Sequence, residues 1–225
     1  MNGILRLASV SLIILTSLGL TACNTSDRLL DHVDKPRTAK ISYINAQPNA
    51  TGFYLKSVAY SSDIFDSRFR VTQLNSASAS KDLTHRWIES NNESQFAIEN
   101  SNSRLERVRV NKHLNHRGSY WAVAWHNNNL PQLSIFEKST IHQQHNYYLR
   151  VFSNSQQVLK DQSRDINLAT TEVGKVTDSF AFAQCNDAML GEHTLDLCAI
   201  GELGGAYLVV ANTNGSIVIV EESQP

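Results

Sequence analysis

Gly118-Ser119-Tyr120-Trp121-Ala122-Val123-Ala124 and Gly205-Ala206-Tyr207-Leu208-Val209-Val210-Ala211 are one pattern written twice in the chain. Each opens on a glycine, places a tyrosine two residues later and continues in small, β-branched and aromatic residues, the composition of a buried strand. A turn later, Leu133-Ser134-Ile135-Phe136-Glu137-Lys138-Ser139 lines up with Ile217-Val218-Ile219-Val220-Glu221-Glu222-Ser223, and only the turn differs, by three residues. Buried strands resemble one another by composition alone. Two strands matched in order and spacing read instead as the closing hairpins of two similar domains. The expected boundaries are 38–139 and 145–223, with the polar segment 140–146 as linker.

Outward from these hairpins the chain is a succession of short apolar runs separated by polar turns. Ile41–Ala46 ends in the turn Asn45-Ala46-Gln47-Pro48-Asn49, and Phe53-Tyr54-Leu55 starts the next strand. Further strands are expected at 95–98, 104–110, 120–125, 133–137, 147–152, 179–183, 207–211 and 217–220, with weaker ones at 69–74, 157–159 and 166–168. Residues 83–88, around Trp87, suit a strand or a short helix. The mature chain shows no helical period over ten or more residues. The fold class is therefore all-β, a sandwich or barrel.

The first 22 residues differ from everything after them. Arg6 is their only charge, and Leu7–Leu20 is apolar or small throughout. This run of about fourteen residues is short of the roughly 20 needed to span a bilayer as a helix, and it has the layout of an export signal. It ends in Leu20-Thr21-Ala22-Cys23, which resembles the lipobox of bacterial lipoproteins. That resemblance implies cleavage before Cys23 and lipidation of its thiol and freed amine, with diacylglyceryl and fatty acyl (palmitate-type) chains. With Asn24 rather than Asp after the cysteine, it implies the outer membrane, facing the periplasm or the cell surface. Residues 23–37 are then the lipidated cysteine and a polar tether.

Losing Arg6 with the signal changes the formal net charge from −1 to about −2. A nearly neutral, exported chain lacks the basic field that nucleic-acid binding requires. Apolar residues make up 41% and charged residues 18% of the chain, a folded and not a disordered balance. Of three cysteines, Cys23 goes to lipid, leaving Cys185 and Cys198 to pair in an oxidising compartment. Their spacing matches no zinc pattern.

Asn45-Ala46-Gln47-Pro48 between the first two strands, with the closing Gly-x-Tyr strands, resembles the immunoglobulin-like domains of bacterial envelope lipoproteins, which often occur in tandem. The resemblance implies two tandem immunoglobulin-like antiparallel β-sandwich domains after the signal peptide and short tether, and carries no activity. The second domain departs from it: Ser153-Asn154-Ser155-Gln156 has no proline, and 184–200 with its cysteine pair reads as an insertion.

No nucleophile elbow, metalloprotease helix, phosphate loop or dinucleotide fingerprint occurs. No catalytic residue, metal or cofactor is expected. His113 with His116 and His142 with His145 have ligand-like spacing, but no acidic or cysteine ligand accompanies them. Asp187, Glu192 and Asp196 lack the regular spacing of a calcium loop. Trp121 and Trp125 share a strand face; Trp121 aligns with Leu208 and reads as core, whereas Trp125 aligns with Asn212 at a strand end. Trp125 and His126 are thus the candidate partner surface, for an envelope protein or glycan. The function expected is a non-catalytic, membrane-anchored envelope lipoprotein with a binding or structural role; the alternative is a lipid-anchored hydrolase or carbohydrate-binding protein.

Overall fold

The two repeated stretches do not alternate between apolar and polar residues, and the reason is that both faces of each strand are covered. The computed structural model describes residues 34–141, 143–212 and 217–223. The signal peptide, Cys23, most of the tether and His142 lie outside the described residues. The first half supplies β1 (Pro36–Asn45), β2 (Thr51–Ser57), β3 (Arg70–Leu74), β4 (Ser78–Ala79), β5 (Leu83–Ile88), β6 (Glu93–Asn100), β7 (Ser103–His113), β8 (Ser119–Asn127) and β9 (Leu130–Glu137). The second supplies β10 (Tyr147–Ser153), β11 (Val158–Asp161), β12 (Ile166–Thr170), β13 (Phe180–Phe182), β14 (Ala188–Leu190), β15 (His193–Thr194), β16 (Ala206–Ala211) and β17 (Ile217–Ser223). The chain is all-β, as its periodicity requires, and 83–88 is a strand.

Four sheets form. Sheet one joins β1, β8 and β9, with β4 and β5 on the free edge of β1; sheet two is β3-β2-β6-β7. Sheet three is β13-β10-β16-β17 and sheet four β12-β11-β14-β15. Sheets one and two face each other over Ile41, Tyr43, Phe53, Phe96, Ile98 and Tyr120. Sheets three and four do so over Leu149, Val151, Leu159, Phe182, Leu190 and Tyr207. A third apolar layer joins the backs of sheets one and three: Ile44, Trp121, Val123 and Trp125 meet Phe152, Leu208 and Val210. Burying a side chain of this size contributes about 1.5–3 kcal/mol, so this layer holds two sandwiches together.

One feature departs from a purely antiparallel sandwich. β1 pairs in parallel with β8, with Ile41 opposite Tyr120, and β10 pairs in parallel with β16, with Leu149 opposite Tyr207. A parallel pair needs a long crossover, and in each half the crossover is the rest of that sandwich. The duplication is thus strand for strand: β10 to β17 repeat β1, β2, β3, β5, β6, β7, β8 and β9. Even the β1–β4 pairing at Ile44 and Ala79 has its counterpart in a single bridge between Phe152 and Val176. The expected insertion at 184–200 is not one. It contributes β14 and β15, with Ala188, Leu190, Leu195 and Leu197 all buried in the core. The sequence similarity is lost there because these strands are only two or three residues long.

The Gly-x-Tyr signature has a geometric cause. The Tyr120 hydroxyl accepts the Asn115 N–H at 2.8 Å, and the Tyr207 hydroxyl accepts the Glu202 N–H at 2.7 Å and donates to the Glu202 carbonyl at 2.9 Å. Each tyrosine folds back over the loop before its own strand, the arrangement known as a tyrosine corner. A Cβ on Gly118 would lie 2.7 Å from the Tyr120 ring, and one on Gly205 2.4 Å from the Tyr207 hydroxyl. Only glycine fits. At the other end of β1, buried Asn45 closes its turn by donating to the Asn49 and Leu74 carbonyls and accepting from Gln47 N–H. Ser153 takes that position in the second sandwich, where its Oγ accepts from the Ser155 N–H and Gln157 Nε2, so the missing proline is no loss.

Candidate functional site

The two sandwiches lie with their strands running the same way. Trp121 Nε1, near the start of β8, donates to Glu222 beside the start of β16 at 2.9 Å. At the far ends, Asn154 Nδ2 donates to the His126 carbonyl (3.2 Å) and Asn212 Nδ2 to the Ala46 carbonyl (3.3 Å). Where sheets one and three part company along their β4 and β17 edges, a cleft of about 560 Å³ opens, lined by Ser42, Asp82, Trp121, Lys138 and Glu222 among others.

Its side chains form one chain of polar contacts. Lys138 Nζ donates to Asp82 Oδ1 at 2.6 Å and to Ser42 Oγ at 2.9 Å, and stands 4.0 Å above the Trp121 ring. The Ser42 hydroxyl donates to the same Asp82 oxygen. Beyond Trp121, Glu222 Oε1 also accepts from Arg150 Nη1 at 3.3 Å, and that guanidinium reaches the Glu137 carbonyl at 3.0 Å. Glu222 Oε2 is buried with no partner. Burial works against the Asp82 charge, but hydrogen bonds from Lys138 and Ser42 outweigh it and hold its pKa below the usual range. For Glu222 burial wins: its pKa is raised despite Arg150, the Ser139 N–H, Trp121 and Lys138.

Ser42, Lys138 and Asp82 are the residue types of a nucleophile, a base and an orienting group, but the wiring runs the other way. The lysine donates to the serine, the serine hydroxyl donates its hydrogen bond to the aspartate, and Ser42 is 1% exposed. The cluster acts as a polar staple at the rim of the apolar layer, and the cleft beside it has the size of a small-molecule pocket. Local sequence does not bring Ser42, Asp82 and Lys138 together, although a signal is present. Lys138 and Glu222 are aligned positions of the two hairpins with opposite charge, and Ser42 and Arg150 are their aligned neighbours on β1 and β10.

Trp125 and His126 are not the free partner surface expected of them. Trp125 is 7% exposed and sits in the layer between the sandwiches, edge-on to Phe152 with ring centroids 5.7 Å apart. Its Nε1 donates to Ser134 Oγ at 3.0 Å. Gly174, at φ +73°, comes so close that a Cβ there would lie 2.4 Å from the indole. The strand end left as Asn212 in one copy carries the sealing indole in the other. His126 is half-buried beside it, its Nε2 has no partner, and burial lowers its pKa against the pull of Glu106.

Cys185 and Cys198 form a disulfide with Cα atoms 4.9 Å apart. His113 and His116 are both exposed, and His116 Nδ1 accepts the Thr38 N–H at 3.2 Å. Asp187 accepts the Gln184 N–H, a turn contact. Among the described residues no group of three or more His, Cys, Asp or Glu side chains is placed to hold a metal, and no helix is long and apolar enough to cross a membrane. No protein-family model matches the sequence, and no curated protein is significantly similar to it.

Proposed function

We propose that this chain is a non-catalytic lipoprotein of the bacterial outer membrane, anchored through lipid on Cys23 and serving a binding or structural role in the envelope. The observation that carries this reading is Leu20-Thr21-Ala22-Cys23 at the end of a fourteen-residue apolar run with one charge before it. The Cys185–Cys198 disulfide is in keeping with an oxidising compartment. The two tyrosine corners support an immunoglobulin-like relationship for the sandwiches, although the parallel β1–β8 and β10–β16 pairs set them apart from an immunoglobulin sheet. One acyl chain gives only marginal membrane binding and two or more hold firmly, so a triply acylated Cys23 keeps the protein at the membrane.

The test is metabolic labelling with a clickable fatty acid, followed by membrane fractionation. The wild-type chain takes up label and sediments with outer membranes, whereas Cys23→Ser does neither. Label retained on Cys23→Ser contradicts the anchor. The cleft lined by Ser42, Asp82 and Lys138 favours one second reading, a carbohydrate-binding lipoprotein. An envelope glycan that shifts the tryptophan emission of wild type but not of Asp82→Ala would select it.

A further inference from the structure

The geometry points to one end of the molecule as a lipid-contacting face, the end formed by the two tyrosine-corner loops; this rests on the anchor proposed above. β1 begins there, so the chain from Cys23 enters the body at that end. Eleven residues separate Cys23 from Lys35. Even fully extended they reach about 40 Å, and as a coil about 20 Å. Stacked sheets lie about 10 Å apart, so four of them make a body about 30 Å thick. At its coil length the tether is shorter than the body is thick, which keeps the entry end near the bilayer.

Because both sandwiches point the same way, this end presents loops from both. β7 and β5 finish there, β8, β10 and β16 start there, and β17 returns there. Large apolar side chains are exposed on it: Val58 (39%), Tyr60 (60%), Ile88 (43%), Ile141 (40%), Ile200 (49%) and Leu203 (48%). The opposite end carries Leu130 (64%), Val173 (42%) and Val158 (38%). Single exposed apolar residues are ordinary. What distinguishes Ile200 and Leu203 is that the loop exposing them is tied down by backbone hydrogen bonds. Ile200 N–H and Gly201 N–H both donate to the Leu197 carbonyl, Gly204 N–H to Asn146, and Glu202 N–H to Tyr207. The matching loop of the first sandwich keeps Leu114 buried. Two apolar side chains are thus exposed on a hydrogen-bonded loop at the end where the proposed anchor arrives.

Charges of both signs share this end of the molecule, Lys35, Lys112 and Arg117 with Glu89, Glu93 and Glu202. The contact is therefore with the apolar interface of the bilayer and not with anionic headgroups. A few side chains would not bind a membrane alone, but lipidation makes the contact intramolecular in effect, and a weak preference is then enough to orient the body.

The experiment uses the full lipidated chain in phosphatidylcholine vesicles brominated near the headgroup end of the acyl chains, with Leu203→Trp and, at the opposite end, Leu130→Trp. Both sites are open, and native Trp87, Trp121 and Trp125 are buried and give a constant background. The expected result is several-fold stronger quenching for Leu203→Trp than for Leu130→Trp, unchanged in high salt. Protein that floats with the vesicles but shows equal quenching, or none, at the two sites overturns the lipid-facing end and leaves the anchor standing. Protein that does not float overturns the anchor and this inference with it.

Discussion

In the first sandwich the inner hairpin of sheet two runs from Glu93 to His113, and the segment at 58–69 adds a small outer core where Ile64 packs on Tyr54 and Ala97. Its counterpart in the second sandwich is two stubs, Ala188–Leu190 and His193–Thr194, bracketed by the disulfide. One strand plan is stabilised in two ways. The larger copy relies on long ladders and extra burial; the smaller one replaces lost ladder with a covalent link, the usual resort of domains short of core. The copies also differ where they touch. Position for position, Trp125 corresponds to Asn212, Lys138 to Glu222 and Ser42 to Arg150, so duplicated surfaces have become complementary ones.

The largest effect is expected at the most unequal pair. Trp125→Ala opens a cavity between the sandwiches and should cost about 3–5 kcal/mol, read from chemical denaturation. Asn212→Ala removes hydrogen bonds at a strand end and should cost about 1 kcal/mol. Equal costs would mean the two positions do the same job. Next comes the disulfide, whose loop spans 13 residues. Its reduction should remove about 3 kcal/mol in the chain-entropy view and lower hydrogen-exchange protection in β14 and β15 while sparing β6 and β7. Uniform loss across all four strands would deny the division of labour described above.

Acid and base should divide the molecule as well. His85, stacked on Trp87 and half-buried in the first sandwich, has its pKa lowered by burial to about 4. Its native form is neutral, so stability is lost as pH falls from about 6.5 toward about 4, by at most about 3 kcal/mol. The lowered pKa of Asp82 acts in the same acid direction. Glu222 acts in reverse. Its raised pKa favours the protonated native form, so its contribution falls as pH rises past the ordinary carboxylate range. Thermal melts against pH should show His85→Gln reducing the acid-side loss and Glu222→Gln the smaller loss on the alkaline side. The same pH profile in both variants as in wild type would contradict these assignments.

Much of this architecture is legible in the sequence because the two hairpins keep one register although their turns differ by three residues. The alignment of Tyr120 with Tyr207 and Glu137 with Glu221 is the register found in the sheets, where Tyr120 pairs with Glu137 and Tyr207 with Glu221. The disulfide is legible from compartment and count. What is not legible is burial on the second face. Trp125 at a strand end looks like a candidate for a partner, and nothing local says that Phe152 and Gly174 cover it, since those contacts come from residues 27 or more positions away. The same holds for 184–200, where strands of two or three residues carry no period, and for the Ser42–Asp82–Lys138–Glu222 chain, whose first three members come from separate parts of the first sandwich and meet the Glu222 side only once the sandwiches dock.

The claim on which the rest depends is that two copies of one sandwich are welded back to back through the layer of Trp121, Trp125, Phe152, Leu208 and Val210. A site-specific protease sequence placed within 140–146 allows the chain to be cut between the copies after folding. The two fragments should co-elute at the size of the intact chain in native gel filtration and melt in a single transition. Fragments that separate without denaturant and melt independently would contradict the account.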